Sequence, residues 1–133
     1  MYLLDTNIFL EVLLDRGRAG ECEELLGKLE AGELTGLLTS FGLHSVAVVL
    51  ERLKGLDAYK LFLETITRLN GLLFYSTSPS EEIEVCGLAK ETGLDFDDAL
   101  HYYVAKKFDL DIVSFDKHFD GKGIKRVEPK DIL

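Results

Sequence analysis

Short apolar runs alternate with amphipathic stretches along nearly all of this 133-residue chain, and no other sequence feature constrains the fold as strongly. Tyr2-Leu3-Leu4 is apolar and stops at Asp5, after which Ile8, Phe9, Val12 and Leu13 recur at helical spacing. Cys22, Leu25, Leu26 and Leu29 predict a second helix ending near Gly32, and Leu34 to Thr39 reads as a second strand. A third helix is expected from about Gly42 to Leu53, burying Val46, Val49, Leu50 and Leu53, with Gly55 as its stop. Tyr59, Phe62, Leu63, Ile66 and Leu69 form the next helical stripe, and Gly71 separates them from the strand Leu72-Leu73-Phe74-Tyr75.

Ser78-Pro79-Ser80-Glu81 combines a capping serine, a proline at the first helical position and a glutamate three residues on, so a helix starts there and runs to Gly93. The next begins around Asp97 and is expected to turn Leu100, Tyr103, Val104 and Phe108 inward. Ile112-Val113 and the segment Ile124 to Val127 complete the strands. A helix falls between all successive strands but the last two. This α/β pattern predicts a single three-layer domain over residues 1–133: a mainly parallel sheet of about five strands, flanked by helices on both faces.

Composition fits that architecture. An apolar content of 47% supplies a core for one domain, and only 2 prolines leave no stretch that reads as a disordered linker. The amino terminus lacks a basic region and carries Asp5, Glu11 and Asp15, which argues against both a signal peptide and a membrane span. Cys22 and Cys86 lack the spacing of a disulfide framework or a zinc site, so reduced thiols in a cytoplasmic protein are expected.

A net charge of -9 excludes a protein that coats a polyanion with its whole surface, but not a nuclease, because a bound cation reverses the field at an acidic site. Lys106, Lys107, Lys117, Lys122, Lys125, Arg126 and Lys130 gather toward the carboxyl end. They fit either an ordinary solvated surface or a nucleic-acid contact zone.

In open parallel sheets, ligands bind beyond the carboxyl ends of the strands. Asp5 ends the first strand and Asp116 follows Ile112-Val113-Ser114 in the same way. Asp97 and Asp98 open a helix. Each position has a plain alternative: Asp5, Thr6 or Asn7 could cap the following helix, and Asp97 and Asp98 could serve only the helix dipole, worth about 0.3–1 kcal/mol. Together the three positions can converge on one sheet edge. Clustered carboxylates repel, and they persist by sharing protons or by holding a hard divalent cation.

Leu3-Leu4-Asp5-Thr6-Asn7, Asp98-Ala99-Leu100-His101 and Ser114-Phe115-Asp116-Lys117-His118-Phe119, in that order, resemble the PIN domain family and in particular its small VapC-type toxin ribonucleases. The resemblance covers essentially the whole chain. It implies a quartet of acidic residues binding one or two Mg2+ or Mn2+ ions, with Asp5, Asp98 and Asp116 matching three of them. Thr6, Asn7 and Ser114 match positions that support the ligands. It also implies an RNA substrate, a small antitoxin protein as partner, and a homodimer.

One position departs from the family pattern. The fourth carboxylate is normally a glutamate early in the helix after the second strand, within Thr39-Ser40-Phe41-Gly42-Leu43-His44-Ser45-Val46, and none stands there. Glu51 lies about 10 Å along the helix axis from His44. His44 could supply a nitrogen ligand that favours Mn2+, or it could be merely a partly buried polar residue. Asp97 and Asp120 are reserve carboxylates, and His101 and His118 read as surface or supporting residues rather than general bases.

The expected function is therefore a metal-dependent endoribonuclease. A catalytically depleted RNA- or protein-binding module is the alternative. Asp5 at the end of a first strand also admits an aspartyl-phosphate enzyme, although Asn7 replaces the second acid which that chemistry uses.

Overall fold

Leu3 and Leu4, adjacent in the first strand, set the layering of the molecule, because successive strand side chains point to opposite faces of a sheet. In the computed structural model, which describes residues 1–133, Leu3 packs into one apolar core and Leu4 into a second. The pairs Leu37-Leu38 and Ile112-Val113 divide in the same way.

Five strands form one sheet: β1 (Tyr2–Leu4), β2 (Gly36–Thr39), β3 (Leu72–Tyr75), β4 (Asp111–Val113) and β5 (Arg126–Val127). Their spatial order is β3-β2-β1-β4-β5 and every pairing is parallel, with Tyr2 in register with Gly36 on one side and Asp111 on the other. The face bearing Leu4, Leu38 and Val113 is covered by α1 (Thr6–Leu13), α2 (Ala19–Glu30), α3 (Ser40–Leu53) and α4 (Leu56–Ile66). The other face carries α5 (Pro79–Thr92) and α6 (Phe96–Phe108). The three-layer α/β expectation holds. No helix is long and apolar enough to cross a membrane.

Local chemistry explains most boundaries. Ser78 and Glu81 form the expected capping box at the start of α5, and Gly93 closes that helix in the left-handed conformation, φ +75°. Between α4 and β3, a Cβ at Gly71 would collide with the carbonyl oxygen of Leu34, so only glycine lets the two segments pass. Between β4 and β5 the chain makes only a short 3-10 turn, Lys117–Phe119, anchored by the fully buried Phe119.

The structure departs from the expected pattern at four places. β2 begins at Gly36 rather than Leu34, and Ile124 precedes β5 instead of belonging to it. Leu53 is 59% exposed, because it lies in the last turn of α3, one turn beyond the buried Leu50. Phe108, expected inward, is 41% exposed and Tyr103 is only half-buried, while Ala99, His101, Tyr102 and Ala105 are buried beside Leu100 and Val104. The sheet covers one side of α6, and α5 and the 3-10 turn pack on others. A single apolar stripe therefore misjudges its orientation.

Candidate metal centre

The strand order reverses at β1, whose chain neighbour β2 lies on one side and the late strand β4 on the other. Crevices at such switch points are where open α/β sheets bind ligands. Asp5 follows β1 directly, and Ser114 follows β4 directly.

Asp5 is 8% exposed and does two jobs at once. Its Oδ1 caps α1, accepting from the Thr6 backbone N at 2.7 Å and from the Thr6 hydroxyl at 3.4 Å. Its Oδ2 accepts from the Ser114 hydroxyl at 2.5 Å and from the Asn7 side-chain amide at 3.3 Å. Capping through Oδ1 therefore leaves Oδ2 turned to the end of β4.

Ser114, fully buried, links the two strand ends. Its hydroxyl donates to Asp5 and accepts from the Asp116 backbone N at 2.9 Å and the Asn7 amide at 3.3 Å. Both acceptors near Asn7 face its Nδ2, which fixes the amide orientation. The other end of that amide, Oδ1, is buried without a hydrogen-bond partner. A buried, unpartnered carbonyl oxygen on the residue that orients Asp5 is compatible with a divalent cation or its hydration shell.

Asp98 and Asp116 come together with a residue that the sequence reading left outside the ligand set. Donor atoms of Asp98, Asp116 and His118 lie within 4.8 Å of one another. The His118 Nδ1 is 3.2 Å from Asp98 Oδ2 and 3.0 Å from Asp116 Oδ1. Asp116 caps the 3-10 turn by accepting from the His118 backbone N at 2.9 Å, and this cap holds the imidazole over the carboxylates. Asp5 falls outside that tight group and joins it through Ser114.

Burial pushes the Asp98 carboxyl up to about 6; the hydrogen bond to His118 opposes this, and the charges of Asp95, Asp116 and Asp97 add to it. The His118 imidazole is raised above its ordinary value by its hydrogen bond to Asp98 and by the charge of Asp116. Beside these groups opens a cavity of about 390 Å3, lined by Gly93, Leu94, Asp95, Asp98, His118 and Lys122.

The remaining candidates lie elsewhere. His44 and Glu51 are exposed on α3 and belong to no cluster of metal-ligating side chains; Val46, the last residue of the segment where a glutamate was sought, is buried in the core. Asp97 turns its Oδ1 to His101 Nδ1 at 3.1 Å, and Asp120 pairs with Arg126 at 2.9 Å. His101, fully buried, has its Nε2 3.1 Å from the Thr39 hydroxyl and its Nδ1 2.9 Å from the Asp97 carbonyl, contacts that tie α6 to the end of β2.

Asp95, a residue with no expected role, caps α6 by accepting from Asp98 N at 3.0 Å, which fixes the start of the helix that presents Asp98. His118, expected as a surface or supporting residue, is exposed and lies 3.2 Å from Asp98 Oδ2.

A parallel α/β domain with a carboxylate cluster at its switch point is the class that fold and site define. The PIN domain model matches residues 2–125, and the chain belongs to that family. Solved structures agree on the fold. The Mycobacterium tuberculosis VapC20 toxin, described as cleaving the sarcin-ricin loop, superposes with a TM-score of 0.79 at 18% identity, covering 97% of this chain and 100% of that one. A toxin-antitoxin complex from Klebsiella pneumoniae gives 0.71 at 21% identity, with 97% and 98% covered. The VapBC2 complex of Rickettsia felis, bound to a DNA fragment from its promoter, gives 0.72 at 17% identity, with 96% and 97% covered. No curated protein sequence matches the chain. Membership of the PIN family sets aside the aspartyl-phosphate alternative.

Proposed function

We propose that the chain is a divalent-metal-dependent endoribonuclease, acting in the cytoplasm as the toxin of a toxin-antitoxin pair. The observation that carries this reading is the meeting of Asp98 and Asp116 beside an open cavity, with Asp5 joined to them through Ser114. Asp5, Asp98 and Asp116 would hold Mg2+ or Mn2+, and the orphaned Asn7 Oδ1 and the all-oxygen character of these donors suit either ion. Such an ion would supply water activation and charge stabilisation for hydrolysis of an RNA phosphodiester.

The chain's own residues do the positioning. Ser114 and Asn7 orient Asp5, Asp95 fixes the turn that presents Asp98, and Lys122 brings positive charge to the cavity where an RNA phosphate would lie. An antitoxin is proposed from the resemblance to toxin-antitoxin complexes. Its docking surface would be the apolar groove of about 510 Å3 among α1–α4, which includes Phe9, Leu13, Leu26, Leu61 and Phe62 and suits an amphipathic helix. The open edge of β3, with Leu73 48% and Phe74 52% exposed, supports a homodimer.

Purified protein with Mn2+ should cleave single-stranded RNA, and Asp5→Asn should lower the rate by at least about 100-fold, about 2.7 kcal/mol of barrier. Undiminished cleavage by that variant would refute the assignment. The missing α3 carboxylate favours a second reading, a PIN module that binds without cutting; calorimetry showing no uptake of Mn2+ or Mg2+ at millimolar concentration would select it.

A further inference from the structure

We infer that His118 is a nitrogen ligand of the metal centre and biases it toward Mn2+ and other imidazole-binding cations over Mg2+. The inference rests on the proposed metal-dependent function. It concerns a residue that no acidic-quartet pattern contains.

The geometry points this way for three reasons. First, one nitrogen faces two carboxylates: Nδ1 lies 3.2 Å from Asp98 Oδ2 and 3.0 Å from Asp116 Oδ1. A single ring N–H has one proton to give, and only the Asp98 contact is a hydrogen bond. A cation shared by all three groups would resolve that mismatch.

Second, these separations match those between neighbouring ligands. In an octahedron with arms of about 2.1 Å, adjacent donors stand about 3.0 Å apart, and in a tetrahedron of the same arms about 3.4 Å. The His118 Nδ1 stands at that spacing from one oxygen of each carboxylate.

Third, although its side chain is 70% exposed, His118 is not loosely placed. Its backbone N is bound by the Asp116 carboxylate, and the next residue, Phe119, is fully buried. The Asp98 and Asp116 side chains that His118 contacts are only 14% and 29% exposed.

Imidazole accompanies Mn2+, Co2+, Ni2+ and Zn2+ far more readily than Mg2+, which prefers an all-oxygen shell. His118 would therefore supply what the missing α3 carboxylate does not: a further ligand, at the cost of affinity for the harder ion.

Pulsed electron paramagnetic resonance on the full chain loaded with Mn2+ tests the assignment. The chain has 3 histidines, so a directly bound 14N can be assigned by variants. The expected result is a 14N coupling that is lost in His118→Ala and retained in His44→Ala. By calorimetry, His118→Ala should bind Mn2+ at least about tenfold more weakly while changing Mg2+ binding less, and His118→Asp should shift the preference back toward Mg2+.

Circular dichroism melting would check that each variant folds. Bound Mn2+ without histidine coupling would overturn the role of His118 and leave the acidic site standing. Failure of the native chain to bind Mn2+ at all would overturn the metal-dependent function and this inference with it.

Discussion

Replacing Asp98 by asparagine should make the metal-free protein more stable while destroying its metal response. Burial and neighbouring carboxylates raise the Asp98 carboxyl from 3.8 to about 6, so the folded state holds its ionised form at a penalty. That rise corresponds to at most about 3 kcal/mol. With the side chain 14% exposed, solvent screening reduces this to about 1–2 kcal/mol. Asparagine keeps the shape and an acceptor for His118 but removes the charge.

The sign follows from proton linkage. Between 3.8 and about 6 the folded state binds more protons at Asp98 than the unfolded state, so this group's contribution to stability falls as pH rises through that window. The penalty is complete at pH 7 and nearly absent at pH 4. In EDTA at pH 7, Asp98→Asn should therefore raise the melting temperature by roughly 3–8 °C for a domain of this size, and the gain should nearly vanish at pH 4. Mn2+ at 100 times its dissociation constant should stabilise the native protein by about 2.7 kcal/mol and the variant much less. Calorimetric melting at the two pH values reads all of this. An asparagine variant no more stable than the native chain at pH 7, or equally favoured at pH 4, would refute the reasoning.

Ser114→Ala should cost about 1–3 kcal/mol in urea unfolding, because Asp5 Oδ2 loses a buried charge-assisted donor and the Asp116 N–H loses its acceptor. An unchanged midpoint would show that the hydroxyl does not bridge the strands. Glu128 is held at about 2 by hydrogen bonds to Arg18 and Arg126. Its contribution is present above the ordinary value of 4.5 and lost as pH falls toward 2, so Glu128→Gln should cost about 1 kcal/mol at pH 7, with a smaller difference at pH 3. A gap of equal size at both pH values would contradict the ion-pair account.

Much of the architecture was readable residue by residue. The capping box at Ser78, the glycine stop at Gly93 and the apolar pairs Leu3-Leu4 and Leu37-Leu38 act over a few neighbours, so local chemistry and period determine them. The three aspartates were legible because each sits at the end of an element. Leu53, Tyr103 and Phe108 were misjudged because their burial depends on which neighbours reach the last turn of a helix, or pack on its other sides.

An α/β domain with acidic groups at strand and helix ends follows from periodicity and capping, which act between near neighbours in the chain. Only the tertiary structure decided which of those groups meet. Ser114 reaches Asp5 across 109 positions of chain and also holds the Asp116 N–H, Asp97 and Asp120 are drawn into pairs with His101 and Arg126, and His118 takes its place over Asp98. Those choices depend on β1 and β4 lying side by side in the sheet, a pairing between distant segments that no local pattern encodes.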